Sequence, residues 1–211
     1  MRRARGFTLL ELIVAMTIFL IVIVAAYGLF DAGRNLSARA EARALLFQTG
    51  RSALQAIEED LRGVVLSGSV FDTGLIGVSQ DGEGGPLDKI EFMAVNSFTA
   101  GENLEKKIDL SKVTWWIEES RGLVRERIRL LTSTRASRDE EEVSRDVVFL
   151  DFRYYDGQWK ESWDSTQLRR LPKAIEVTVH VRGLWRDEKV LEKFTTRFYL
   201  PIGAETPEKQ P

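Results

Sequence analysis

Residues 6–30 read GFTLLELIVAMTIFLIVIVAAYGLF, an almost wholly apolar segment. Glu11 is its only charged residue, and residues 12–30 form an uncharged run of nineteen. A helix over that run, at about 1.5 Å per residue, is about 28 Å long, close to the ~30 Å hydrocarbon core of a bilayer. The sequence therefore predicts a transmembrane helix over residues 7–30.

Three basic residues, Arg2, Arg3 and Arg5, precede the apolar run. The positive-inside rule then places the N-terminus in the cytoplasm and the rest of a single-pass chain on the opposite side of the membrane. A secretory signal peptide is the alternative, because the small residues at 24–26 suit a signal peptidase. Cleavage there leaves a soluble periplasmic protein that begins at Tyr27. A signal peptide usually has a shorter apolar region, of about 7–15 residues, so the length favours an anchor.

The segment GFTLLE at residues 6–11 resembles the processing site of type IV pilin-like proteins. The resemblance implies that a prepilin peptidase removes the leader peptide, residues 1–6, by cutting after Gly6. It also implies that the new N-terminal residue, Phe7, is N-methylated. Glu11 then matches the glutamate at the fifth position of the mature chain in these proteins.

Glu11 is an ionisable residue in a segment that otherwise suits lipid. Such a residue is a functional candidate by default, because a carboxylate at bilayer depth is costly. One helical turn separates it from Phe7, so an internal pair with the Phe7 amine is one interpretation. The other is a contact with the Phe7 amine of a neighbouring subunit, which sets the register of a filament. We interpret Glu11 as an assembly residue, with neighbouring helices replacing lipid around residues 12–30.

Apolar residues continue at helical spacing beyond the membrane segment, between charged ones. They are Leu36, Ala40, Ala44, Phe47, Leu54, Ile57, Leu61 and Val64. No proline interrupts the chain before Pro86, so the helix is predicted to continue as an amphipathic segment over residues 31–65. Its second half is expected to pack on a folded domain.

Residues 66–203 alternate with period two between turn signals, which predicts an antiparallel β-sheet domain on the far side of the membrane. The candidate strands are 89–95, 112–117, 123–130, 147–155, 173–182 and 190–200. Residues 80–86 and 132–146 are predicted loops, and residues 204–211 a polar tail. The predicted fold is α+β and pilin-like, with a long N-terminal helix, transmembrane and then amphipathic, packed on the sheet.

Three further segments resemble the minor pseudopilin J family of type II secretion systems: IEEDLR at 57–62, FRYYDGQWKESW at 152–163 and LPKAI at 171–175. The resemblance implies a structural subunit of the tip complex that primes assembly of a short filament for protein export. The implied partners are the minor pseudopilins I and K, the major pseudopilin and the prepilin peptidase. A minor type IV pilus subunit, acting in assembly, adhesion or DNA uptake, is the alternative.

The same resemblance implies a location. Before assembly the subunit lies in the bacterial inner membrane, in contact with lipid, with its C-terminal domain in the periplasm. After assembly it lies at the pseudopilus tip.

The composition offers little chemistry. The chain has 30 basic and 32 acidic residues, one histidine and no cysteine, which excludes disulfides and thiolate chemistry. The histidine, His180, is predicted on the surface of a strand without a nucleophile nearby. The acidic run at 139–142 lacks the ligand spacing of a calcium loop and is interpreted as a solvated loop. We therefore expect no enzymatic activity, no metal and no cofactor.

Three arginines, Arg125, Arg127 and Arg129, fall on one face of a predicted strand and form the best candidate for a nucleic-acid patch. The acidic run at 139–142 follows closely enough to neutralise them, and no aromatic residues alternate with them. No nucleic-acid partner is expected. The five tryptophans are interpreted as core and interface residues.

Overall fold

The computed structural model describes residues 8–66, 74–100, 105–130, 137–185 and 188–200. The chain divides into two compact units, residues 1–44 and 45–211. One helix, α1 (Leu9–Arg62), contributes residues to both units. The predicted leader and the predicted polar tail lie outside the described residues.

In the first unit, α1 is apolar and exposed from Leu9 to Phe30. Within the described part of the chain it is the one helix long and apolar enough to cross a membrane. Thr17 does not interrupt it, because its hydroxyl donates to the carbonyl of Ile13 at 2.8 Å and is satisfied inside the helix. An apolar surface of this extent requires lipid or other apolar helices around it.

The second unit is a β domain against which the last turns of α1 pack. Its elements are β1 (Ile76–Val78), β2 (Asp81–Gly82), β3 (Gly85–Pro86), β4 (Lys89–Ala100), β5 (Glu105–Glu118), β6 (Gly122–Arg129), β7 (Ser137–Ser144), β8 (Val147–Tyr155), β9 (Trp159–Lys160), β10 (Trp163–Asp164), α2 (Ser165–Leu168), β11 (Ala174–Trp185) and β12 (Glu188–Tyr199).

The strands form two main antiparallel sheets. A six-stranded sheet has the order β10-β1-β4-β5-β6-β7, a four-stranded sheet has the order β12-β11-β8-β9, and β2 and β3 form a separate hairpin. Asp88 precedes β4 and links the six-stranded sheet to β8, since its buried carboxylate accepts from the backbone N–H of Phe152 at 2.8 Å. The same carboxylate accepts from the backbone N–H of Gln80, between β1 and β2, at 3.0 Å. One core results, shared by both sheets and by the buried residues Ala53, Ile57 and Leu61 of α1.

The six predicted strands are all present, but two predicted loops are wrong. Residues 137–144 of the predicted loop 132–146 form β7, and the predicted loop 80–86 contains the hairpin of β2 and β3. β7 lies at the edge of its sheet and carries charged side chains that pair across to β6. An edge strand of this kind lacks the apolar alternation by which strands are recognised.

Two finer expectations also need correction. α1 ends at Arg62 rather than residue 65, because the backbone of residues 63–65 pairs with β4: Val65 N–H donates to Met93 O at 3.0 Å. In β11, the face that carries His180 was expected at the surface, but Glu176 and Thr178 on that face are buried, opposite fully buried apolar residues such as Val177. β11 is a central strand, with β8 and β12 on either side.

Candidate functional site

The first turn of α1 holds the predicted assembly residue. Thr8 N–H donates to Glu11 Oε2 at 3.4 Å, and Glu11 N–H donates to Thr8 Oγ1 at 3.3 Å. These reciprocal bonds are a capping box, in which the N-cap threonine and the glutamate three residues later satisfy each other's backbone donors. This role was not among the predictions for Glu11, although Thr-x-x-Glu before an apolar run is the signature of a capping box.

Capping has a particular value in an apolar helix. Backbone N–H groups in the first turn have no partner within the helix, and lipid offers them no hydrogen-bond acceptor. The Glu11 carboxylate therefore has a local function before any neighbour arrives. Gly6 and Phe7 lie outside the described residues, so cleavage, N-methylation and the contact between Phe7 and Glu11 stay predictions.

The last turns of α1 are fixed to the six-stranded sheet through a buried carboxylate. The Asp60 side chain is 2% exposed and accepts from Trp115 Nε1 at 3.1 Å and from an Arg127 guanidinium nitrogen at 2.6 Å. A guanidinium nitrogen of Arg125 lies 3.6 Å from the same carboxylate. A buried charge needs such partners, because its desolvation is otherwise uncompensated.

The arginines that suggested a nucleic-acid patch are engaged in ion pairs within the chain. Arg127 binds Asp60, Arg125 binds Asp60 and Glu141, and Arg129 lies 3.6 Å from Asp139. The acidic run at 139–142 lies in strand β7 and is not the solvated loop predicted from the sequence. Its proximity to the arginine stripe was predicted correctly.

His180 lies in β11, in the middle of the four-stranded sheet. Its ring is half-buried and makes an edge-on contact with Phe149, with centroids 5.7 Å apart. Burial, and to a lesser extent the positive charge of Lys193, lowers its pKa. Among the residues that the structure describes, no group of three His, Asp or Glu side chains is arranged to hold a metal ion.

An open groove lies between the last turns of α1 and the edge strand β12, with a volume of about 820 Å³. Its apolar part contains Leu54 and the pair Phe47–Phe194, whose rings meet edge-on at 5.2 Å. Charged residues of α1, among them Arg51, lie along its rim. Gly50 permits the close approach of helix and strand, because a Cβ there would overlap the Phe194 ring. The groove is a partly apolar concave surface to which both the helix and the edge strand contribute side chains.

Comparison with known protein families agrees with these features. A family model for protein J of the type II secretion system matches residues 29–191, more than half of the chain. A model for the prokaryotic N-terminal methylation motif matches residues 1–27, which include the start of the apolar helix. The chain therefore belongs to the protein J family of type II secretion systems: it is a minor pseudopilin, a structural subunit with a pilin-like α+β fold, a membrane-anchoring N-terminal helix and a role in assembly with other pseudopilins.

Proposed function

We propose that this minor pseudopilin acts in the tip complex of the pseudopilus, together with minor pseudopilins of the I and K types, and primes growth of the filament of major pseudopilin. The observation that carries the proposal is the open groove between α1 and β12. Its partly apolar lining and charged rim match the usual anatomy of a protein–protein interface. The proposed role is structural, without catalysis.

The N-terminal segment has a separate role in this proposal. A prepilin peptidase cuts between Gly6 and Phe7, and Phe7 is then N-methylated. The methylated amine remains basic and becomes the partner of a Glu11 carboxylate on a neighbouring subunit. Support comes from the match to the N-terminal methylation motif and from the exposure of the apolar residues that follow.

The groove can be tested with the full chain in detergent, co-purified with I-type and K-type pseudopilins. Arg51 is an exposed residue of the rim, so Arg51→Glu should lower the yield of the complex several-fold. Arg182→Glu makes the same change in charge on an exposed residue of β11 outside the groove and should leave the yield unchanged. Equal yields for both variants would place the interface elsewhere.

A further inference from the structure

The outer face of the four-stranded sheet carries a row of charges across three strands. Glu176 of β11 stands in register with Arg153 of β8 and Arg197 of β12. Its two carboxylate oxygens accept from Arg153 at 3.4 Å and from Arg197 Nε at 2.5 Å. The carboxylate side chain is 10% exposed, whereas those of the two arginines are 44% and 58% exposed. The Glu176 carboxylate is therefore covered by protein, whereas the two guanidinium groups remain accessible to solvent.

Trp159 lies across this row. It belongs to β9, at the opposite edge of the sheet from β12 and three strand spacings of about 4.8 Å away. Its ring centroid is nevertheless 5.4 Å from the Arg197 guanidinium and 5.5 Å from that of Arg153. The indole therefore extends over the sheet, and it also contacts the Tyr155 ring at 5.1 Å. Both guanidiniums are held against an aromatic ring as well as against a carboxylate.

A second group at the same end of the sheet repeats the arrangement. The Asp156 side chain is 10% exposed and pairs with Arg170, with Lys173 Nζ at 3.9 Å, and both cations are more than half exposed. The backbone N–H of Lys173 donates to Tyr155 O at 2.8 Å, which ties this group to the strand that carries Arg153. Within these two groups, each covered carboxylate balances one of two displayed cations, so four cations stand beside two carboxylates. The further acidic residues close by are Asp151, which interacts with Arg153 and Glu176, and Glu161.

We propose that this surface, the cationic end defined by Arg153, Trp159, Arg170, Lys173 and Arg197, binds an acidic segment of a partner protein. Guanidinium groups bind carboxylates through paired N–H donors, and each arginine has donors beyond the one that Glu176 engages. Tryptophan and arginine are the residues that most often dominate binding energy at protein interfaces. Because Glu176 and Trp159 already hold both arginines, little side-chain entropy remains to be lost on binding.

A protein segment fits this surface better than a nucleic acid does. Affinity for nucleic acid grows with the number of phosphates neutralised, and here covered carboxylates already compensate half of the cations. Single strands are also held by aromatic rings on which successive bases stack, whereas Trp159 is covered by two guanidiniums. Separate carboxylates on a peptide can reach each displayed cation without bringing a continuous line of charge past Glu176 and Asp156.

The test uses the full chain in detergent micelles and a fluorescently labelled Glu-rich peptide, followed by fluorescence anisotropy. The peptide should bind, a Gln-rich peptide of the same length should not, and added salt should weaken the binding. Equal binding of the two peptides, or no binding of either, would overturn the proposal. So would tighter binding of a single-stranded oligonucleotide, which would make the surface a polyanion site.

Variants on one strand then locate the surface. Arg197→Glu should weaken peptide binding about tenfold or more, the effect of placing a like charge at an interface. Arg197→Lys keeps the charge but loses the paired N–H donors of the guanidinium, so its affinity for the peptide should be intermediate. This variant tests the role of Arg197 if Arg197→Glu does not fold. Lys189→Glu makes the same change in charge on an exposed residue at the other end of β12 and should bind as the wild type does. Equal weakening by Arg197→Glu and Lys189→Glu would refute the assignment.

Discussion

At the residue scale, Glu11 has two candidate roles that substitution can separate. If it contacts the amine of a neighbouring subunit, Glu11→Leu should insert into the membrane and be processed normally, since leucine spares the cost of a carboxylate in lipid. That cost is ~2.5–3.5 kcal/mol at the bilayer centre on insertion scales and smaller near the start of the span, where Glu11 lies. Glu11→Leu should, however, fail to crosslink to neighbouring pseudopilins and to support secretion. Glu11→Gln should fall between leucine and the wild type.

Thr8→Ala is the matched control, because it removes the hydroxyl of the capping box and leaves the carboxylate. If the defect of Glu11→Leu comes only from a weaker helix start, Thr8→Ala, which loses the bond from Glu11 N–H to Thr8 Oγ1, should show a comparable defect. Glu11→Gln, whose amide oxygen can still accept from Thr8 N–H, should then behave as the wild type does. Processing by the peptidase, crosslinking and secretion are measured for each variant in a strain that lacks the native protein. Full crosslinking and secretion with Glu11→Leu would refute the assembly role.

Asp60 illustrates a residue that could not be singled out beforehand. It belongs to the acidic run Glu58, Glu59 and Asp60. From the sequence alone, all three side chains are expected to be in solvent. Only Asp60 turns inward, three residues after the buried Ile57 and beside the buried Leu61. The helical spacing from Ile57 indicates that Asp60 faces inward. The arginines that compensate its charge, however, come from a strand more than sixty residues later. No local pattern links the two.

Asp60→Asn should therefore destabilise the β domain. The amide can still accept from Trp115, but Arg127 loses its anionic partner at 2.6 Å. A hydrogen bond between charged groups contributes about 1.5–3 kcal/mol, so a loss of that order in the free energy of unfolding is expected in urea titrations. Glu58→Gln breaks the exposed pair with Arg62 and should change it by only about 0.3–0.5 kcal/mol. Equal effects would contradict the role of Asp60.

Asp88 gives the domain a specific dependence on pH. Burial raises the pKa of its carboxyl, although the N–H donors of Phe152 and Gln80 offset part of the rise. A raised pKa means that the folded state binds the proton more readily than the unfolded chain does. The resulting stabilisation is complete below the ordinary pKa of 3.8 and is lost as pH rises through the higher folded value.

The unfolding free energy of the wild type, measured relative to that of Asp88→Asn, should accordingly increase as the solution is acidified from neutral pH towards pH about 4. The subtraction removes contributions from groups common to both proteins. Urea titrations at a series of pH values provide the measurement. A difference that shrinks on acidification would show that the carboxylate, rather than the protonated acid, is favoured at this junction of the two sheets.

At the scale of elements, the close contact of α1 with β12 depends on a glycine. Gly50→Ala should destabilise the domain by about 1–3 kcal/mol, because the added methyl overlaps the Phe194 ring in a packed interface. Gly33→Ala is the control on the same helix: nothing lies within 4 Å of its Cβ position, and alanine favours helix over glycine by about 1 kcal/mol. Thermal unfolding of both variants compares them. A Gly50→Ala protein as stable as the wild type would show that the ring yields without cost.

Helices and strands with one buried face were predicted correctly, whereas the strand β7, which has no buried face, was predicted as a loop. The last turns of α1 and the core strands have apolar periodicity because one side of each faces the core. The earlier members of the predicted helical stripe, Leu36, Ala40 and Ala44, are exposed. β7 pairs on one side only and exposes most of its side chains. Its sequence therefore shows no alternation of apolar and polar residues. The groove was beyond prediction, since it exists only when the edge strand β12 lies beside α1.

At the scale of the whole molecule, the sequence predicted an α+β chain but not two packed sheets. The alternation of apolar and polar residues identifies a strand but does not say which strands pair with it. No local pattern therefore assigns β8 and β11 to one sheet and β5 and β6 to another. The cationic end escaped notice for the same reason. Its residues come from β8, β9 and β12 and from the loop before β11, and they meet only after the sheet has formed.

The orientation of the chain in the membrane can be tested because the sequence contains no cysteine. Lys193→Cys places a single thiol on an exposed residue of β12 and should react with a membrane-impermeant maleimide in spheroplasts. Ala4→Cys, in a strain without prepilin peptidase, should react only after the membrane is permeabilised. The reverse pattern would invert the proposed topology.

The position of β12 at the end of the described chain has a consequence for biosynthesis. The last turns of α1 emerge from the ribosome more than a hundred residues before the strand that covers Phe47 and Gly50. Contacts so distant in sequence form late, because a long loop must close before they contribute. The helix is thus synthesised early and the strand that packs on it late. A nascent chain that stops before Glu188 lacks β12 and exposes apolar core residues to chaperones and proteases.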